Sequence, residues 1–203
     1  MIDIVDYGMG NLGSVLNMFR RIGAPARITD NPGELAKASK ILLPGVGAFD
    51  MAMKRISEAG FLPVLNELAL VKKIPVLGIC LGMQLLTDSS EEGVLEGLHW
   101  IPGTTSRFLF PENNGMKIPH MGWNEVAEVN PSPLTFGLPA ASRFYFVHSY
   151  YVNVKNPAHS IMKTTYGHPF DSVVQSGNIF GAQFHPEKSH RFGMQLLKNF
   201  AGI

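Results

Sequence analysis

Short apolar runs alternate with helical periodicity through the first half of the chain. Ile2-Asp3-Ile4-Val5 has strand character, and Leu12, Val15, Leu16, Phe19 and Ile22 then recur at helical spacing, which makes a βα unit. Gly23 stops that helix, Ala26-Arg27-Ile28-Thr29 reads as a second strand, and Ile41-Leu42-Leu43 as a third that ends at Pro44-Gly45. Strands that are apolar throughout suit a parallel sheet covered on both faces. Ala48 to Ala59 and Phe61 to Val71 read as helices, Ile74 to Ile79 as a further central strand, and Leu81 to about Thr87 as another helix. This order predicts an α/β fold with an open, mostly parallel, doubly wound sheet flanked by helices.

Beyond residue 95 proline and glycine become frequent and helical spacing disappears. Trp123 to Val126, Phe144 to Val147, Ile161 to Thr165, Ser172 to Gln175 and Ile179 to Phe184 read as strands without helices between them, which predicts a β-rich antiparallel portion in the C-terminal half. Residues 108–115 read as a loop. Arg191 to Phe200 closes the chain as an amphipathic helix with Phe192, Leu196, Leu197 and Phe200 on one face. No repeat, low-complexity tract or linker interrupts the pattern, so one domain over residues 1–203 is expected.

Composition narrows the function classes. The chain is 45% hydrophobic and 16% charged, the balance of a folded globular protein. Its 17 basic and 16 acidic residues give a net charge of +1 without a long Lys/Arg run, so no nucleic-acid partner is expected. Asp3 and Asp6 occupy the stretch where a signal peptide carries positive charge, and the apolar run Ile74 to Cys80 falls far short of the roughly 20 residues of a membrane-spanning helix. A single cysteine makes no internal disulfide, which fits a reducing, cytoplasmic setting with no membrane partner.

That cysteine sits in Val76-Leu77-Gly78-Ile79-Cys80-Leu81-Gly82-Met83-Gln84. An apolar strand ending in Gly-x-Cys-x-Gly and running into a helix has the shape of a nucleophile elbow, with glycines where side chains would crowd the turn. A helix N-terminus there favours the thiolate. The competing reading is a small buried hydrophobe, the commonest fate of a free cysteine. A thiol nucleophile needs a base. His185 ends an apolar strand in Gly181-Ala182-Gln183-Phe184-His185-Pro186-Glu187-Lys188, where Pro186 biases it to an extended backbone and Glu187, two residues on, can orient the imidazole. Without Cys80 this would read as a solvated surface loop.

Leu43-Pro44-Gly45-Val46-Gly47-Ala48-Phe49 is a strand that ends in a glycine-rich turn and opens a helix. It could cradle a phosphate, although GxGxxG and the P-loop lysine are absent, or it could present backbone N–H groups to an oxyanion together with that of Leu81. The remaining histidines at 99, 159, 168 and 190 lack partners at metal spacing, so no metal and no cofactor are expected. His120 and His148 read as hydrogen-bonded structural residues, and Trp123, on its size alone, as a core residue.

Together, PGVG at 44–47, GICLGMQ at 78–84 and FHPEKS at 184–189 resemble the class I (triad) glutamine amidotransferases. DYGMGN at 6–11, PHMGWN at 119–124 and YFVHSY at 145–150 narrow the resemblance to glutaminase subunits of histidine biosynthesis. The resemblance implies Cys80 as nucleophile, His185 as proton relay and Glu187 as its orienting acid. It implies an oxyanion turn at Val46 and Gly47, with Leu81, and glutamine held by Gln84, Glu92, Ser149 and Tyr150. It further implies a heterodimer with a (β/α)8 barrel synthase, met by a face near Asn11, Trp123 and Lys188, to which ammonia is passed. Similar glutaminase subunits serve surface-sugar amidation, and a stand-alone γ-glutamyl hydrolase is a further alternative on the same fold. A flip of the Val46 peptide between Gly45 and Gly47 would let the partner switch the oxyanion turn on.

Overall fold

A computed structural model describes residues 1–111 and 115–203; the loop expected over 108–115 lies in part outside the described residues. Strand β1 (Ile2–Val5) is followed by α1 (Leu12–Arg21), β2 (Ala26–Thr29), the short α2 (Pro32–Leu35), β3 (Ile41–Leu43), α3 (Phe49–Glu58) and α4 (Phe61–Asn66). The latter runs into a π turn, Glu67–Val71, before β4 (Val76–Ile79) and α5 (Leu81–Leu85). The β-rich half holds β5 (Ser89–Ser90), β6 (Gly103–Arg107), β7 (His120–Glu125), β8 (Ala127–Glu128), β9 (Arg143–His148) and β10 (Tyr150–Val154). It continues with β11 (Ser160–Tyr166), β12 (His168–Ser176) and β13 (Ile179–Ala182), and α6 (His190–Gly202) closes the chain.

The large sheet runs β2-β1-β3-β4-β13-β12-β10-β6-β5, with β11 and β8 branching from β12. Its first five strands are parallel, and side chains of successive residues enter opposite apolar layers. Ile41 and Leu43 lie in one layer and Leu42 in the other, and Val76 and Leu77 divide in the same way. Helices α3 and α4 cover the first layer through Phe49, Ala52, Ile56, Phe61 and Leu65. Val15 and Phe19 of α1 and Leu196, Leu197 and Phe200 of α6 cover the second. The doubly wound sheet and the antiparallel extension are both as expected.

Several elements differ from the sequence expectation. The strand at 179 ends at Ala182 and is antiparallel to β12 but parallel to β4, with Gly181 opposite Gly78 and Ala182 opposite Ile79. It thus joins the two halves of the sheet and brings the residues after it to the same edge as those after β4. Strand β6, GTTSR, shows no apolar run because only alternate residues are buried. Strand β10 follows β9 after the single residue Ser149 and pairs with β6, whereas β9 pairs only with β7 in a separate two-stranded ribbon.

Candidate active site

Cys80 caps the C-terminal end of β4. Its amide donates to the Ala182 carbonyl at 2.8 Å, and its own carbonyl accepts from Met83 and Gln84, the first bonds of α5. The turn forces Cys80 to φ 54° and ψ −109°, a conformation that L side chains rarely adopt. The flanking glycines are sterically required. A β-carbon on Gly78 would stand 2.5 Å from the Gly82 carbonyl oxygen, and one on Gly82 would collide with the Leu43 carbonyl. Cys80 as a whole is 6% exposed.

His185 follows β13 and is 3% exposed. Its backbone is extended (φ −100°, ψ 96°) and its amide donates to the Tyr145 carbonyl at 2.9 Å. Glu187 lies in a tight turn, Pro186–Lys188, not in a continued strand; its Oε1 is 2.8 Å from His185 Nδ1, and both side chains are almost fully buried. Nε2 is buried and has no hydrogen-bond partner among the described residues. Burial pushes the imidazole down, but the interactions with Cys80 and Glu187 outweigh it and raise His185 to about 10. The ring therefore carries its proton at neutral pH.

A cavity of about 330 Å³ gathers Cys80, Leu81, Gln84, Glu92, His148, Ser149, Tyr150 and His185 with the turn residues Val46 and Gly47. Gly47 has φ +106°, a backbone conformation that strains any L side chain, so this turn favours glycine there. Gln84 Nε2 bonds the Tyr150 carbonyl (3.1 Å) and Gln183 Oε1 (3.2 Å). Glu92 Oε2 accepts from the Phe49 amide at 2.9 Å, and burial raises its carboxyl above the ordinary range. Among the described residues no three His, Cys, Asp or Glu side chains gather into a metal-binding group.

Asn11, Trp123 and Lys188 do not line the cavity. The Asn11 side chain caps α1 by accepting from Ser14. Trp123 is 42% exposed, so the core position expected from its size is not observed. Strand β7 belongs to a two-stranded ribbon, and Met121, Trp123 and Glu125 share its outward face. Trp123 stacks on His190 at 5.4 Å and meets Tyr145 edge-on, while Lys188 Nζ stands 5.7 Å over the Tyr145 ring. His120 and His148 are hydrogen-bonded to each other at 2.9 Å, as structural histidines.

Three residues shape the site without having been assigned a part from sequence. Ser189 Oγ donates to the His185 carbonyl at 2.6 Å and accepts from the Tyr145 amide at 3.0 Å, which fixes the His185 backbone. The Tyr7 hydroxyl donates to the Pro44 carbonyl at 2.6 Å and fills the space that a side chain on Gly45 would need. Burial, and then the charge at Cys80, raise Tyr7, so it remains a donor. The third, Gln183, touches the sulfur. Tyr7 and Ser189 lay within quoted motifs, but only the fold shows which backbone groups their hydroxyls reach.

The family model for class-I glutamine amidotransferases matches residues 3–202. The chain is 50% identical to imidazole glycerol phosphate synthase subunit HisH of Bdellovibrio bacteriovorus, with the full length of both chains covered. It is 52% identical to subunit HisH 2 of Methanococcus maripaludis over 98% of each chain, and 48% identical to subunit HisH 2 of Pseudomonas aeruginosa over the whole of both. A crystal structure of a glutamine amidotransferase superposes with a TM-score of 0.76 at 16% identity, covering 100% of each chain, which shows the shared fold.

Proposed function

The chain belongs to the class-I glutamine amidotransferase family, and from that premise we propose that it is the glutaminase subunit of imidazole glycerol phosphate synthase in histidine biosynthesis. The observation that carries the chemistry is the buried 2.8 Å bond from His185 to Glu187 beside a cysteine held in an elbow.

Cys80 Sγ attacks the side-chain carbonyl carbon of glutamine. The carbonyl oxygen becomes an oxyanion, met by backbone N–H groups of the turn at Val46 and Gly47 and of Leu81. His185 gives its proton to the departing nitrogen, the C–N bond breaks, and ammonia leaves a glutamyl thioester on Cys80. Water then adds to the thioester with His185 accepting its proton, and glutamate leaves. Glu187 holds the ring in one tautomer and balances its charge throughout. Gln84, Glu92, Ser149 and Tyr150 hold the amino-acid end of the substrate. Because the Gln84 amide nitrogen is already engaged, its oxygen is the end that meets the substrate ammonium.

Ammonia passes to a (β/α)8 barrel synthase subunit docked on the face near Asn11, Trp123 and Lys188, where it completes imidazole glycerol phosphate and releases an aminoimidazole ribonucleotide. The whole chain acts as one domain in the cytoplasm; among the described residues no helix is long and apolar enough to cross a membrane. A second reading, a subunit feeding a surface-sugar amidation enzyme, is the alternative that the family resemblance leaves open. Purified chain mixed with each candidate synthase separates them. Glutamate release that rises only with the histidine-pathway barrel and its nucleotide supports the first reading, and a response only to the sugar enzyme overturns it. High activity of the chain alone would instead identify a stand-alone hydrolase.

A further inference from the structure

We propose that the buried side chain of Gln183 donates a hydrogen bond to Cys80 Sγ and holds negative charge on that sulfur during the reaction. Gln183 is fully buried, its amide donates to the Ser172 carbonyl at 2.9 Å, and its side-chain Nε2 lies 3.8 Å from Sγ, within reach of an N–H···S bond. It stands two residues before His185, in the bend that follows β13.

The direction of the bond follows from its neighbours. The two ends of an amide side chain look alike and are distinguished by their partners. One partner here has a fixed polarity, because the Tyr150 carbonyl can only accept. It takes His148 Nδ1 at 2.7 Å and Gln84 Nε2 at 3.1 Å. Gln84 therefore turns its nitrogen to that side, and the same nitrogen is 3.2 Å from Gln183. The Gln183 atom that faces it must be the acceptor Oε1, which leaves Nε2 turned to the sulfur. A backbone carbonyl on β10 thus sets the polarity of a chain that ends at the nucleophile.

An amide N–H does not titrate, so it presents the same dipole to sulfur at every pH of interest. Charge resides on the sulfur at two moments. It is there before attack, and it returns when water oxygen has bonded to the acyl carbon, the C–S bond breaks and its electron pair goes back to sulfur. His185 handles the protons in both half-reactions; Gln183 handles none.

This inference rests on Cys80 being the nucleophile, and its test reads the sulfur without needing glutamine. The synthase complex of wild type, Gln183→Leu and Gln183→Glu is alkylated with iodoacetamide across pH, with glutamate release measured in parallel. Both titrating neighbours of Cys80, His185 and Tyr7, are untouched in these variants. Loss of a bond to a charged group predicts that the pH of half-maximal alkylation rises by about one to two units in Gln183→Leu. Gln183→Glu, of the same shape with a carboxylate facing sulfur, should shift it further. Glutamate release should fall by roughly ten- to a hundredfold. Profiles that coincide with wild type in both folded variants would overturn the proposal. If wild type released no glutamate while the shift persisted, the sulfur contact would stand and the amidotransferase reading would fall.

Discussion

Gly82 packs against Leu43 with no room for a side chain: a β-carbon there would run into the Leu43 carbonyl oxygen at the end of the neighbouring strand. Gly78 is closed off in the same way by the backbone of Gly82, 2.5 Å from where its β-carbon would stand. The elbow is therefore built by close backbone approach between β3, β4 and α5. Gly82→Ala and Gly78→Ala should each cost about 2 kcal/mol or more, since backbone cannot move aside as a flexible side chain can. Gly13, in α1 with open space around it, is the control: Gly13→Ala should raise stability by about 0.5 kcal/mol. Denaturant midpoints of the three variants check this.

Ser189 is buried and holds the His185 backbone in place. Ser189→Ala removes the donor to the His185 carbonyl and the acceptor for the Tyr145 amide. Leaving such groups unpaired costs about 1–3 kcal/mol. Ser189 does not line the cavity, so steady-state kinetics should show a lower kcat with KM for glutamine little changed.

His185 couples stability to alkaline pH. Its folded-state value, raised to about 10 from 6.5, means that the folded protein binds this proton more tightly than the unfolded chain does. The stabilisation is complete below about pH 6.5, declines as pH rises, and is gone above about pH 10. Melting temperature should therefore fall with pH over this window, and the fall should be shallower in His185→Gln.

His120 and His148 act in the opposite direction. Burial pulls His120 down to about 4. Burial, then the charges of His120 and His185, pull His148 down to about 3 against its bond to the Tyr150 carbonyl. The unfolded chain binds these protons near pH 6.5 while the folded chain excludes them, so stability should drop as pH falls from about 6.5 towards 4. The pH dependence of the unfolding free energy measures the uptake, and His120→Phe should remove about one proton of it.

Much of this site was legible from the sequence. Glycines on both sides of Cys80 marked the elbow because steric demand leaves few other residues possible there, and the parallel strands were readable because burial on both faces makes them apolar throughout. What stayed hidden depends on pairing across the chain. The outward face of Trp123 follows from β7 pairing with β9 alone, which no local pattern encodes. Gln183 reads as one polar residue in an apolar strand, and only the spatial approach of Gln84 and Cys80 gives it a direction. Strand β6 stays hidden because GTTSR carries no apolar side chain, and β10 because it follows β9 after a one-residue break.

The proposed reaction requires glutamine to become a glutamyl thioester on Cys80. Acid quenching of the synthase complex during turnover, followed by mass spectrometry of its peptides, tests it directly. A glutamyl adduct is expected on the peptide that carries Cys80, absent from Cys80→Ala, which also releases no glutamate. Glutamate release by a folded Cys80→Ala complex at the wild-type rate would contradict it.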